Sequence, residues 1–396
     1  MMTNSEYAYQ YQPSGSERSK KLKTRKTVRI TALIMIMLMI FSVFMTGCGN
    51  KAEEESKESS TASQEQNKEE TAETKTVTFK DDCGREVKVP EKIETVIASG
   101  PLAQMFLLAV APDTLIATNS QWSNETKKYI DDKYLKLPEV GSFFGNHDLN
   151  YEEIAKLNPQ IIIDVGEDKP SMKSDLQDIT DKTNIPAVHI SANFDNTDKA
   201  FSKLGKLLGR EDKGNKLAAF CKDAFDSAEA VIKKTDKKKQ VMYCTQEDGL
   251  NVLAKDSYHS QIIDMLADNV AVLEDPSSQG TGNEVNIEQM INWDPEIIIF
   301  EPNSYYDFVS DDPAWKTLRA VKNNKYYEVP MGPYNWMGFP PSCNRVLGLL
   351  WTAQLLYPDK TDFDLKEEVQ EYYKLFYQYD LSDSEYEKLV KKSILK

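Results

Sequence analysis

The residues of this 396-residue chain best suited to chemistry are three histidines, a set of loop aromatics and one arginine. A neutral imidazole is the commonest side-chain ligand of transition metals. His147 and His259 stand in loop-like stretches and are candidates to bracket a metal from two sides. His189 lies in an apolar run, residues 186–190, where a buried, hydrogen-bonded ring is expected instead. Tyr258, Tyr305 and Tyr334 carry phenolic oxygens suited to iron. Trp122, Phe144 and Trp336 are loop aromatics that offer rigid, flat area to a macrocycle or chelate, and their ring faces attract cations. The same rings serve equally well in packing. Arg345, in a helix that Ser342 is expected to cap, either pairs with an anionic ligand or pins that helix to its own lobe. No G-x-S-x-G elbow, phosphate loop, H-E-x-x-H or G-x-G-x-x-G occurs. Binding without turnover is therefore the first expectation. An exported enzyme that modifies a metal chelate and an adhesion or signalling lipoprotein are the alternatives from other classes.

Two related pieces of chain are expected to position these residues. Residues 151–164 read as a helix, Asn-Pro and then a run of Ile; residues 287–300 read as a helix, Asp-Pro and another run of Ile, 136 positions later. Proline ends each helix, and an all-apolar run suits a strand of a parallel sheet covered on both faces. Asn150 and Asn286 are suitable N-caps. Two such copies imply two similar lobes. Between them Leu217, Phe220, Cys221, Ala224, Ala228, Val231 and Ile232 recur at three and four, a single apolar stripe on a helix over about residues 212–234. At 1.5 Å per residue that helix is roughly 35 Å long, enough to bridge both lobes. The expected fold is α/β: two lobes, each with a mainly parallel sheet flanked by helices, joined by one long backbone helix. Loops at the carboxyl ends of the strands would line a cleft between the lobes.

The chain carries a formal net charge of −15. Residues 1–47 hold seven bases against two acids, so the remainder stands at −20. An acidic body excludes nucleic acid as a partner. A basic stretch, residues 18–29, precedes an apolar run, residues 30–45, which together read as an export signal. Thr46-Gly47-Cys48 resembles a bacterial lipobox, with Met45 where Leu is usual, and that resemblance implies lipidation of Cys48. The expected organisation is a signal peptide over 1–47, a flexible tether over 48–75, an N-terminal lobe over 76–195, linking helices over 196–238 and a C-terminal lobe over 239–396. The tether follows from the scarcity of large apolar side chains there. The expected location is the outer face of the cell membrane. The other cysteines, Cys83, Cys221, Cys244 and Cys343, are widely spaced, with no C-x-x-C pair and no disulfide assigned.

The lipobox, the D-x-x-G-R-x-V segment from Asp81 to Val87, the repeated helix-Pro-strand units and the linking helix together resemble the class III periplasmic binding proteins over residues 76–396. These are receptors for iron-siderophore, haem and cobalamin complexes in ABC importers. The stretch from Gly332 to Gly348 is similar to a branch associated with iron-complex uptake. The resemblance implies a monomer that carries an iron or other metal chelate as cargo, has no covalent cofactor apart from lipid, and delivers to a permease and its ATPase. Haem, a corrinoid and a nickel or cobalt chelate are alternative cargoes. It also implies that Glu152 and Glu288, matched across the internal echo, dock onto permease arginines.

Overall fold

The computed structural model describes residues 75–120, 122–143 and 149–394. They belong to a compact unit, Glu73–Lys396. Cys48, Phe144, His147, the export signal and nearly all of the tether lie outside the described residues.

The described chain opens with an antiparallel hairpin, β1 (Thr76–Lys80) and β2 (Glu86–Pro90). Its turn explains the D-x-x-G-R pattern. Gly84 adopts φ +74°, the left-handed conformation that glycine takes without steric cost. The Asp81 carboxylate accepts from the Arg85 amide at 2.8 Å and pairs with the Arg85 guanidinium at 2.7 Å. The same guanidinium donates to the Ala187 carbonyl at 2.6 Å and so docks the hairpin on the first sheet.

That sheet runs β3 (Val96–Ala98), β4 (Ile161–Gly166) and β5 (Ala187–Ser191), all parallel. The alternating geometry of β4 sends its side chains to both faces. Ile161 and Ile163 join a core that includes Phe106 and Phe201, while Ile162 joins Leu176 and Ile179 of the helix Met172–Thr183. The second sheet follows the order β11 (Tyr326–Glu328), β10 (Ile297–Phe300), β6 (Gln240–Thr245), β7 (Asn251–Val252), β9 (Asn283–Glu284), and β8 (Asp268–Asn269) also pairs with β6. β10 lies parallel to β6 and β11, whereas β7 is antiparallel to both its neighbours. The two echoed Ile runs therefore occupy two separate sheets, as two lobes require.

The echo extends to the helix ends. Asn150 and Asn286 each accept from the third amide of their helix, Tyr151–Leu157 and Ile287–Trp293, at 3.0 and 2.8 Å. Asn158 and Asp294 then close those helices with φ of +45° and +40°, immediately before the prolines.

One helix of 23 residues, Glu211–Lys233, joins the lobes. Its predicted stripe is buried apart from Ile232, which is half-buried. The largest core takes in Ile161 and Ile163 of the first sheet, Ile297 and Ile299 of the second, and this stripe. The lobes thus share one apolar interior along the linking helix, an arrangement that resists wide hinge motion because separation would expose it. All four described cysteines are free, and Cys221 is buried as a small hydrophobe. No helix among the described residues is long and apolar enough to cross a membrane.

Candidate functional site

The strand ends bring a row of side chains together across the seam between the lobes. Phe194 follows β5 in the first lobe. The Arg345 guanidinium, from the second lobe, lies 4.6 Å from the Phe194 ring centroid and 5.6 Å from that of Tyr258. Tyr258 meets His259 edge-on at 5.2 Å, and His259 stacks on Phe339 at 5.2 Å. The row therefore reads Phe194, Arg345, Tyr258, His259, Phe339, with a cation near one end and an imidazole near the other.

Arg345 opens the helix Arg345–Leu356. The expected Ser342 cap is not formed. Asn344 occupies the N-cap, its own Oδ1 accepts the Ser342 amide at 3.2 Å, and the helix starts later than a Ser342 cap would allow. The Ser342 hydroxyl instead donates to the Leu102 carbonyl of the first lobe at 3.4 Å. Gly338, with φ +115°, makes room for Arg345: a Cβ there would stand 2.9 Å from Arg345 Cδ. Arg345 is only 7% exposed and donates to Gln261 Oε1 at 2.9 Å. Burial works against its charge and lowers its pKa; Tyr258 and Glu167 offset part of that effect. Burial is the main influence on the Tyr258 phenol and raises its pKa, with Arg345 acting mainly against that rise and Glu167 adding to it. Glu167 directly follows β4 in the first lobe.

His259 is held neutral. Burial, then the nearby Arg345 charge, push its pKa down to about 4, with the Gly338 backbone acting the other way. Its Nδ1 is buried and has no hydrogen-bond partner. A buried ring nitrogen left unpaired is uncommon, because desolvation is then uncompensated.

Two adjoining hollows open along the row. Phe194, Cys221, Phe225, Arg345, Val346 and Leu349 contribute to one. Phe194, Phe225, Tyr258, Gln261, Asp264 and Met265 contribute to the other. Each draws on both lobes and on the linking helix.

The remaining expected residues fall elsewhere. Trp122 is buried and donates to the Tyr134 carbonyl at 3.1 Å. Trp336 is 1% exposed and packs in the main core, its Nε1 directed at the Gly332 carbonyl at 3.5 Å. Tyr305 bonds Asp312 at 2.8 Å and packs on Trp315 in the second lobe's own core. Tyr334 is half-buried against the main core. Glu152 and Glu288 are exposed in the first turns of the echoed helices. Among the described residues, no group of three or more His, Cys, Asp and Glu is arranged to hold a metal ion. Of the residues singled out from sequence, the row unites Tyr258, His259 and Arg345. It adds Phe194 and Phe339, and Phe194 sits just past the carboxyl end of β5, where a strand-end rule would have found it.

His189 is buried and satisfied, as expected. Its Nδ1 meets Asp164 Oδ2 at 2.6 Å and its Nε2 meets Asp168 Oδ1 at 3.1 Å. Asp164 also accepts from the Ser99 hydroxyl. Asp168 accepts from Ser191 Oγ at 2.9 Å, so this network fixes the loop that carries Glu167.

A family model for periplasmic binding proteins matches residues 97–331. The Fe(3+)-citrate-binding protein YfmC of Bacillus subtilis is 29% identical over 185 residues, which cover 45% of this chain and 56% of that protein. The high-affinity heme uptake system protein IsdE of Staphylococcus aureus is 22% identical over 246 residues, covering 59% of this chain and 79% of that one. A solved ABC transporter solute binding protein from Sulfurospirillum deleyianum is 28% identical, with a TM-score of 0.72 over 79% of this chain and 99% of its own. A periplasmic solute binding protein from Veillonella parvula, 23% identical, shares the fold with a TM-score of 0.68 over 81% and 98% of the two chains.

Proposed function

The chain belongs to the periplasmic binding protein family, and on that premise we propose that it captures an anionic iron chelate between its lobes and delivers it to an ABC permease and ATPase. The carrying observation is Arg345, a guanidinium buried in the seam between the lobes and flanked by the aromatic rings of Phe194 and Tyr258. A buried cation is costly unless paired, so the seam favours a guest that brings negative charge. The iron-citrate relative supports the same cargo class. A ferric siderophore with anionic groups suits the site on the same grounds.

Haem is the second reading. His259 offers a neutral imidazole with an unpaired Nδ1, and a relative is named for heme uptake. No bond making or breaking in the cargo is part of either reading. We also propose that Cys48 is the lipid anchor, that a tether over 48–75 holds the body off the membrane, and that the body divides into lobes 76–195 and 239–396 around linking helices 196–238. Phe144, His147 and Tyr334 remain proposed residues of the cleft, whereas Trp122, Tyr305 and Trp336 are assigned to packing.

Titration of the purified protein with ferric citrate and with haemin, followed by tryptophan fluorescence and by metal content after gel filtration, tests this. One of the two is expected to be retained with a Kd at or below about 1 μM, roughly −8 kcal/mol. Loss of both on the column would end the metal-chelate reading.

A further inference from the structure

The helix Pro101–Val110 begins without a side-chain cap. Its N-cap residue is Gly100, which has no side chain to offer, and no acid stands in its first turn. Pro101 lacks an amide hydrogen, so the Leu102 and Ala103 amides carry the unpaired, positive end of the helix. Gly100 lies just past the carboxyl end of β3 in the first lobe. The Phe143 amide donates to the Ser99 carbonyl at 2.8 Å and so lays Ser142 against this turn. Ser142 is 4% exposed, and its buried hydroxyl has no hydrogen-bond partner among the described residues. That oxygen lies 3.3 Å from where a Cβ on Gly100 would stand, the place from which a capping side chain would start. A buried hydroxyl beside unpaired helix amides is costly unless an acceptor comes to them. The Asp164 carboxylate is not that acceptor, since it is taken up by the Ser99 hydroxyl and His189.

We propose that the Leu102 and Ala103 amides and the Ser142 hydroxyl, around the bare Cα of Gly100, form an oxyanion subsite that takes a carboxylate of the cargo. All three groups can donate, and glycine leaves open the room that a capping side chain would fill. Pro101 and Leu102 are only half-buried, so a solute reaches the helix start. This deepens, and rests on, the anionic-chelate reading above. Leu102 also ties the subsite to the second lobe: its carbonyl accepts from the Ser342 hydroxyl, three residues before Arg345. One lobe thus offers a helix start and the other a guanidinium. A guest with two outward carboxylates satisfies both, a monoanion satisfies one, and a neutral chelate gains from neither. The cargo class is a metal polycarboxylate.

Two variants separate this role from packing. Gly100 is extended, with φ −174°, so Gly100→Asp strains no backbone, and its carboxylate caps the helix and fills the subsite from within. Its stability is expected to hold or rise, because Asp caps better than Gly, while ferric citrate binds at least about tenfold more weakly. Ser142→Ala removes a hydroxyl that packing leaves unpaired, so its unfolding midpoint is expected to hold while ferric citrate binds about tenfold more weakly. An uncharged ferric trihydroxamate is expected to change by less than about twofold with either variant. Ferric citrate affinity unaltered by Ser142→Ala overturns the subsite, whether or not Gly100→Asp folds, and so does an equal loss for the trihydroxamate. If the unaltered protein does not bind ferric citrate, the cargo assignment falls, and metal-free citrate judges the subsite by itself. Movement of the Leu102 and Ala103 amide resonances at millimolar citrate, lost in Ser142→Ala, supports it; no movement overturns it.

Discussion

Glu152 and Glu288 occupy the same position in two separate helices of seven residues each, the second residue after an Asn whose side chain caps the turn. Both are exposed, and the strands that follow their helices lie in different sheets. One acid per lobe is the arrangement expected of two-point registration on a two-fold permease. Replacing both with Arg is expected to abolish uptake while the affinity for the captured chelate stays within about threefold, well inside the tenfold that 1.4 kcal/mol represents. Transport assays alongside binding titrations separate the two effects. An undiminished uptake rate would remove the docking role.

Much of the frame was readable before any coordinates because its signals are local. Asn, then a short helix, then Asn-Pro or Asp-Pro specifies a cap, a stop and a restart within a few residues. The stripe from Leu217 to Val231 carries its period within one helix. Asp81, Gly84 and Arg85 close a turn among themselves. The site was less readable. Trp336 and Tyr305 sit in segments with no period, and whether such a ring lines a cleft or fills a core depends on what folds back over it. Phe194, Tyr258 and Arg345 lie far apart in sequence and meet only because two lobes close on each other. Ser342 failed as a cap for a related reason: Asn344, two residues later, takes the Ser342 amide and moves the helix start.

The matched caps predict matched stabilities. Asn150→Ala and Asn286→Ala each remove one side-chain acceptor from an otherwise unpaired helix amide. Each is expected to lower unfolding free energy by about 1 kcal/mol. The sites lie in separate lobes, so the double variant should lose about the sum. Chemical denaturation measures this, and an effect at one site alone would break the structural equivalence of the echo.

Trp336→Ala is expected to act on the fold more than on capture. The side chain is buried in the main core, and deleting a buried Trp costs about 3–5 kcal/mol. Denaturant midpoints should fall sharply. Any loss of chelate affinity should be recovered when binding is measured at low temperature on the folded fraction. A variant of unaltered stability that binds poorly would instead return Trp336 to the cleft.

His189 predicts an alkaline weakening. Burial opposes its charge, but hydrogen bonds and attraction from Asp164 and Asp168 outweigh that and raise its pKa above the ordinary 6.5. A group whose folded pKa is raised stabilises fully below its unfolded value, and that contribution is lost as pH rises through the folded one. The unaltered protein should therefore lose stability as pH climbs from about 6.5 through the raised value, and His189→Asn should be less stable at pH 6 with that dependence removed. Parallel pH profiles for the two proteins would refute a charged His189.

His259 predicts the opposite limb. Its folded pKa of about 4 lies below the ordinary 6.5, so the unfolded chain binds the extra proton first as pH falls. Stability should decline on acidification from about 6.5 toward about 4, and His259→Gln, which cannot titrate, should flatten that decline. The same shift bears on capture. A neutral ring keeps one nitrogen lone pair at any pH well above 4, so coordination through His259 would hold a metal with nearly constant affinity from pH 8 to about 5. An unperturbed imidazole would lose its metal around 6.5, where proton and metal compete for one lone pair. Titrations with haemin at pH 7.5 and 5.5, read in the Soret band, distinguish the two. His259→Gln is expected to shift the band and weaken binding about tenfold or more, as loss of a metal ligand does, whereas Arg345→Gln is expected to spare the band. If His259→Gln leaves both the spectrum and the affinity unaltered, the unpaired nitrogen is a feature of packing, and Arg345 alone carries recognition at the seam.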